Sequence, residues 1–142
     1  MSRIKAKESK LKVSQSAVVP KCPETPSFSF QYLTTNKDYN FEKLDKRQKL
    51  EWKSALVERM IEISQKSWQS WLNMDKKQGF ETIPANRIHF NPNGYELSDD
   101  EKIIIFRFNS QKGRILGIKG NGCSVYYVIG FDTDYSAYDH GA

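Results

Sequence analysis

The chain has 142 residues, a formal net charge of +5, 38% hydrophobic and 13% aromatic residues, and two cysteines. This length supports one ordinary domain, able to bury roughly two-thirds of its unfolded surface, and excludes a two-domain enzyme with a separate cofactor domain. No window approaches the ~18 apolar residues of a transmembrane helix, and the basic N-terminal stretch lacks the apolar core of a secretory signal. Cys22 and Cys123 share no metal-ligand spacing, and read as free thiols in a reducing cytoplasm.

Residues 1–26 hold Arg3, Lys5, Lys7, Lys10, Lys12 and Lys21 against Glu8 and Glu24, and end in Pro20, Pro23 and Pro26. Their apolar residues have no period, so they cannot bury enough surface to offset the entropy of ordering. The stretch reads as a flexible basic arm, which either contacts nucleic acid or an acidic partner, or solubilises the chain. Residues 27–142 read as one domain, with 16 basic and 15 acidic side chains after residue 26. Phe28, Phe30 and Tyr32 alternate with polar residues, which predicts a strand over 28–33. From Leu44 the period becomes helical: Trp52, Leu56, Met60 and Ile63 form the apolar side of a helix of about five turns. Glu58–Glu62 and Lys49–Lys53 are like-charge pairs, so packing must hold that helix. Ser67 is the expected cap of a second, shorter helix edged by Trp68, Trp71 and Leu72 and closed by Gly79. Residues 80–101, with Pro84, Pro92 and Gly94, read as a connector with at most one strand, near 86–90.

Ile103–Phe108, Arg114–Lys119 and Val125–Phe131 are three β-rich runs joined by tight connections. Asn121-Gly122 is a two-residue hairpin signal, which pairs Gly120 with Cys123 and Ile118 with Val125. A three-residue loop, Gln111-Lys112-Gly113 with Gly113 left-handed, pairs Phe108 with Leu116 and matches the apolar faces. This register puts Arg114 on the core side. It lines up Arg107, Gly117 and Tyr126 across three strands, on the face away from the helices. The fold class is therefore α+β in the order β-α-α-β-β-β, an antiparallel sheet with two helices on one face.

The Arg107–Gly117–Tyr126 row is the sharpest constellation. A guanidinium beside a phenol can hold a phosphate and stack a base; the alternative, which the pattern favours, has Tyr126 covering Gly117 with Arg107 on its ring. Tyr138 and His140 near the C-terminus are candidates for proton transfer at neutral pH. His89 is expected to be structural, and Trp52, Trp68 and Trp71 to be core. Asp132, Asp134 and Asp139 lack the supporting ligands of a metal site and read as turn formers. Lys119, beside Gly120 and Gly122, is no phosphate loop because no helix follows; it joins Arg114, Lys5, Lys7, Lys10 and Lys12 as candidate RNA contacts. No nucleophile triad, dinucleotide or zinc pattern is present, so no metal or cofactor is expected.

The order β-α-α-β-β-β, with Arg107, the stretch Gly113-Arg114-Ile115-Leu116 and the terminal Tyr138 and His140, resembles the RelE/ParE superfamily of small bacterial toxins. The resemblance implies a cytoplasmic, metal-independent endoribonuclease in which the RNA 2′-hydroxyl attacks the adjacent phosphate. Arg107 would stabilise the transition state, with Tyr126, Tyr138 or His140 moving protons. The alternative is a non-catalytic module binding nucleic acid or protein on an exposed sheet face. Ile103, Ile105, Ile115 and Val128 lie on that face in this register, so an inhibitory partner, a second subunit or the arm is expected to cover it. Residues 79–142 carry six basic and eight acidic side chains. Any polyanion must then be held by a few placed groups, Arg107 first.

Overall fold

The computed structural model describes residues 24–74, 79–120, 122 and 124–139. The arm residues Lys5, Lys7, Lys10 and Lys12, and His140, lie outside the described residues. Helix α1 (Lys46–Ile63) starts at a capping box in which Asp45 accepts from the Gln48 amide and the Gln48 side chain returns the bond. Satisfying these end groups reciprocally fixes the first turn. Trp52, Leu56 and Ile63 fill its inner side. Ser67 then caps α2 (Trp68–Leu72), which ends at Asn73, well short of Gly79. Both tryptophans of α2 are buried, and their indole N–H groups bond to the Ser124 and Ile63 carbonyls at 2.9 Å each. Trp68 also donates its backbone amide to the carbonyl of Glu24 at 2.8 Å. The last residues of the expected arm are thus fastened to the domain.

Five strands, β1 (Ser27–Ser29), β2 (Phe80–Pro84), β3 (Lys102–Phe108), β4 (Gly113–Lys119) and β5 (Val125–Asp132), form one sheet in the order β1-β5-β4-β3-β2, an α+β architecture. Strand β1 (Ser27–Ser29) runs parallel to β5 (Val125–Asp132), and all other pairs are antiparallel. β1 is shorter than expected because a turn follows at once, with the Leu33 amide bonded to the Phe30 carbonyl. The region read as a connector supplies a strand, β2 (Phe80–Pro84), at the edge beside β3 (Lys102–Phe108). Residues 85–87 are a 3-10 turn, and Ile88 makes only an isolated bridge to Tyr138.

The sheet is buried on both faces. Against α1 and α2 lie Phe80, Ile104, Phe106, Phe108, Ile115, Tyr126, Val128 and Phe131. On the other face Ile83, Ile103, Ile105, Leu116, Ile118 and Ile129 pack under Tyr39, Ala85, Phe90, Ala137 and Tyr138. The cover expected from a partner, a second subunit or the arm is therefore supplied by residues 32–39, 85–97 and 137–138. Backbone bonds hold it down: Thr34 to Ile129, His89 to Ala137 and Asn93 to Tyr32. The chain then passes the free part of β5, with Tyr39 on one core and Phe41, at φ 74°, stacked on Phe131 in the other.

Two registers differ from expectation. The β3–β4 connection has four residues, pairing Phe108 with Gly113 and Arg107 with Arg114. The three-residue offset from the expected pairing is odd, so β4 is turned over relative to β3. Gly113 is not the left-handed residue; Asn109, Ser110 and Gln111 are, at φ 54°, 55° and 70°. Gly113 is required for another reason: a Cβ there would collide with the Trp52 ring and lie 2.7 Å from Phe108. In the second hairpin β4 (Gly113–Lys119) pairs Ile118 with Tyr127, two residues from the expected register. An even slip keeps each residue on its face. A bulge opposite Leu116 then brings Gly130 into register.

Candidate functional site

The turned-over β4 separates the expected row. Arg107 faces away from the helices, sharing its side of β3 with Ile103 and Ile105. Gly117 and Tyr126 lie on the helix side. Tyr126 is fully buried, edge-on to Phe28 and Phe106 and near Trp68. Its hydroxyl donates to the Ile104 carbonyl at 2.7 Å and approaches that of Ile115 at 3.3 Å. Burial pushes this phenol well above its ordinary pKa. A side chain closed off in this way touches no substrate, so the expectation of Tyr126 as a proton-transfer group is corrected to a core role. Lys119, at the end of β4, sets its ammonium over the Trp68 ring, 5.6 Å from its centre.

The same turnover brings Arg114 to the face of Arg107, contrary to its expected place on the core side. The two arginines are direct cross-strand partners. Glu81 of β2 and Asp132 of β5 flank them, Asp132 being the partner of Arg114. The second face thus carries an acid–arginine–arginine–acid row across four strands. Arg107 lies 3.9 Å from Glu81 and donates to the Gln111 side chain at 3.3 Å. Arg114, only 7% exposed, donates to the Gln111 and Gly113 carbonyls at 2.9 and 3.1 Å. Its guanidinium sits over Tyr135, 5.1 Å from the ring centre. The Nε atoms of both arginines are buried without a hydrogen-bond partner. Like charges directly opposite each other across a ladder are unfavourable, and a buried donor without an acceptor costs about 1–3 kcal/mol.

Tyr138 closes the row from above. Its hydroxyl donates to Glu81 at 2.7 Å. Burial, then the bond to Glu81, hold this phenol well above the usual range, while Arg114 pulls the other way. Asp132 shapes the segment that delivers Tyr138: its carboxylate accepts from the amides of Asp134, Ser136 and Ala137 at 3.1–3.2 Å. This turn-forming role is the one expected of Asp132. His89 donates its backbone amide to the Ala137 carbonyl, and its ring lies 3.2 Å from Asp139. Arg107 and Gln111 also line a cleft of about 350 Å³ between the 109–111 loop and α1, where Arg59 and Glu62 form the far wall. Arg59 fixes the end of β3 by donating to the Arg107 carbonyl at 2.8 Å.

Comparison with protein-family models, with curated proteins and with solved structures finds no match for this chain.

The structure therefore brings together Arg107, Arg114 and Tyr138, and sets Tyr126 and Lys119 apart from them. Glu81 and Gln111 are the residues that sequence reasoning missed. Glu81 has one apolar neighbour on each sheet face, so its strand shows no period of two. Among the described residues no group of three histidine, cysteine or acidic side chains could hold a metal ion, and no helix is long and apolar enough to cross a membrane.

Proposed function

We propose that the protein is a metal-independent endoribonuclease whose reaction site is the cluster of Glu81, Arg107, Arg114 and Tyr138. The reading rests on two guanidinium groups, paired across adjacent strands beside a carboxylate, whose Nε–H donors have no acceptor. Two such forks suit the oxygens of a phosphodiester. An anion seated between them also offsets the repulsion of the paired charges. Side-chain exposures of 25% for Arg107 and 11% for Glu81 leave one edge of the cluster open to a substrate.

In this reading the ribose 2′-hydroxyl gives its proton to Glu81 while its oxygen attacks phosphorus. The 2′-O–P bond forms and the P–O5′ bond breaks, leaving a 2′,3′-cyclic phosphate. Arg107 and Arg114 balance the charge that grows on the non-bridging oxygens. The departing 5′-oxygen takes its proton from His140, two positions beyond Tyr138. Tyr138 is a positioning residue that holds Glu81 from behind. Lys5, Lys7, Lys10 and Lys12 add salt-dependent affinity. An RNA substrate fits a cytoplasmic location.

The test is cleavage of end-labelled RNA by the full chain in the presence of a chelator. Products ending in a cyclic phosphate are expected, with a rate about 10²–10³-fold lower for Arg107→Ala and no cut where the nucleotide is 2′-deoxy. Intact RNA, or cleavage indifferent to Arg107→Ala, would overturn the reading. A second reading, a non-catalytic nucleic-acid or protein-binding module, draws on the charge balance of the row, two arginines against Glu81 and Asp132. It requires binding that depends on Arg107 with no cleavage in the same assay.

A further inference from the structure

Among the described residues, three of the six large apolar side chains left exposed lie on α1; the other three, Phe30, Leu72 and Tyr135, are scattered. Leu50, Val57 and Ile61 point outward with 72%, 55% and 52% of their surface exposed. Together with Ser54 they recur at steps of four, three and four residues, the spacing of a two-helix seam. A groove lined by Leu50, Lys53, Ser54 and Val57 runs along this side of the helix. We propose that α1 is a self-association surface, and that its occupant is the α1 helix of a second copy of this chain, packed parallel and in register about a twofold axis. The inference is independent of the ribonuclease reading.

Charge selects this occupant and this direction. Lys46 and Lys53 border the seam on one side, and Glu51 and Glu58 on the other. In a parallel pair, each flanking residue faces the one five positions further along on the second helix. Lys46 then meets Glu51 of the second copy, and Lys53 meets Glu58 of the second copy, each pair occurring twice by symmetry. An antiparallel pair would set lysine against lysine and glutamate against glutamate. Glu51 already holds Asn109 and Lys112 of its own chain, both through Oε2, and still leaves half of its side chain exposed. The basic segment 1–26 is a poor occupant, because it would meet Lys46, Lys49 and Lys53 on one rim. Arg47 takes the seam position one heptad before Ser54, meets its own copy there and ends the seam. Two heptads are too short for free peptides to pair. Here α1 is already folded against the sheet, so association need not supply the entropy of forming the helix.

Sedimentation equilibrium of the full chain over a micromolar-to-millimolar series tests the proposal. The expected mass rises from 16.5 kDa toward twice that value. Val57→Glu should stay monomeric with unchanged thermal unfolding, since more than half of Val57 is already exposed. The pair Lys46→Glu/Lys53→Glu and the pair Glu51→Lys/Glu58→Lys should each be monomeric alone and form a mixed dimer at equal concentrations. A wild-type chain that stays monomeric throughout, a dimer that survives Val57→Glu, or reversed-charge chains that do not combine would each overturn it.

Discussion

Replacing Gly117 by alanine tests the packing of the sheet at its tightest point. An added Cβ would lie 2.6 Å from Tyr126 Cζ and 2.6 Å from the Tyr127 carbonyl oxygen. The carbonyl belongs to the paired backbone of β5 and cannot give way. The ring cannot swing aside without releasing the 2.7 Å bond from its hydroxyl to Ile104. Overpacking of this kind costs about 1–3 kcal/mol. A buried hydroxyl parted from its acceptor adds about 1 kcal/mol. The lower chain entropy of alanine returns about 0.4–1 kcal/mol. The net loss is then about 1–4 kcal/mol, a large share of the stability of a domain this size. With a urea slope of about 2 kcal/mol per molar, the unfolding midpoint should fall by roughly 0.5–2 M. Tryptophan fluorescence is a suitable probe because Trp68 lies 5.9 Å from the Tyr126 ring. If Tyr126 stood over Gly117 on an open face, the ring would move into solvent and alanine would be tolerated. An unchanged or raised midpoint therefore refutes the helix-side placement of both residues.

Two further outcomes follow from the same geometry. Tyr126 and Tyr138 both have pKa values raised in the folded state, so above the ordinary tyrosine value of 10 the unfolded chain loses protons that the folded chain keeps. Stability is then full below pH 10 and falls as pH rises, and urea midpoints from pH 8 to 11 should decline less steeply in Tyr126→Phe than in wild type; parallel slopes would contradict the burial. Asp132→Ala removes the acceptor of three backbone amides, a loss of about 2–4 kcal/mol, and should raise amide exchange at 134–138 above that of the strands. Unchanged exchange there would show that the terminal segment does not depend on this carboxylate.

The helical part of the molecule was legible in the sequence because it obeys one period. The inner side of α1 and the cap at Ser67 needed only the spacing of apolar residues and a hydroxyl at the right step. Alternation also put Arg107 on the face away from the helices. The sheet register was not legible, for two physical reasons. Both faces are cores, so alternation in β4 fits either way up, and turn length alone decides. That length depends on Asn109, Ser110 and Gln111 all adopting left-handed backbone, for which only asparagine has a marked preference. Gly113 looked like the turn glycine and is instead the strand residue on which Trp52 rests. Much of the polar row followed from that one loop. With β4 turned over, Arg114 joins Arg107 and Tyr126 leaves it. Glu81 stayed hidden because Gly79 and Pro84 punctuate a five-residue edge strand like a connector. The cover on the second face was equally hidden: Tyr39, Phe90 and Tyr138 come from three separate loop segments, and their convergence depends on long-range pairing.

The Nε–Hε resonances of Arg107 and Arg114 give the most direct test of the paired arginines as an anion site. A short ribonucleotide carrying one internal phosphodiester, 2′-O-methylated to block cleavage, is titrated into labelled protein and the arginine side-chain signals are followed. The two-arginine site predicts that these two signals move downfield together and saturate together, and that Arg107→Ala abolishes the change at Arg114. Shifts confined to residues 1–26, with both Nε–Hε signals still, would contradict it.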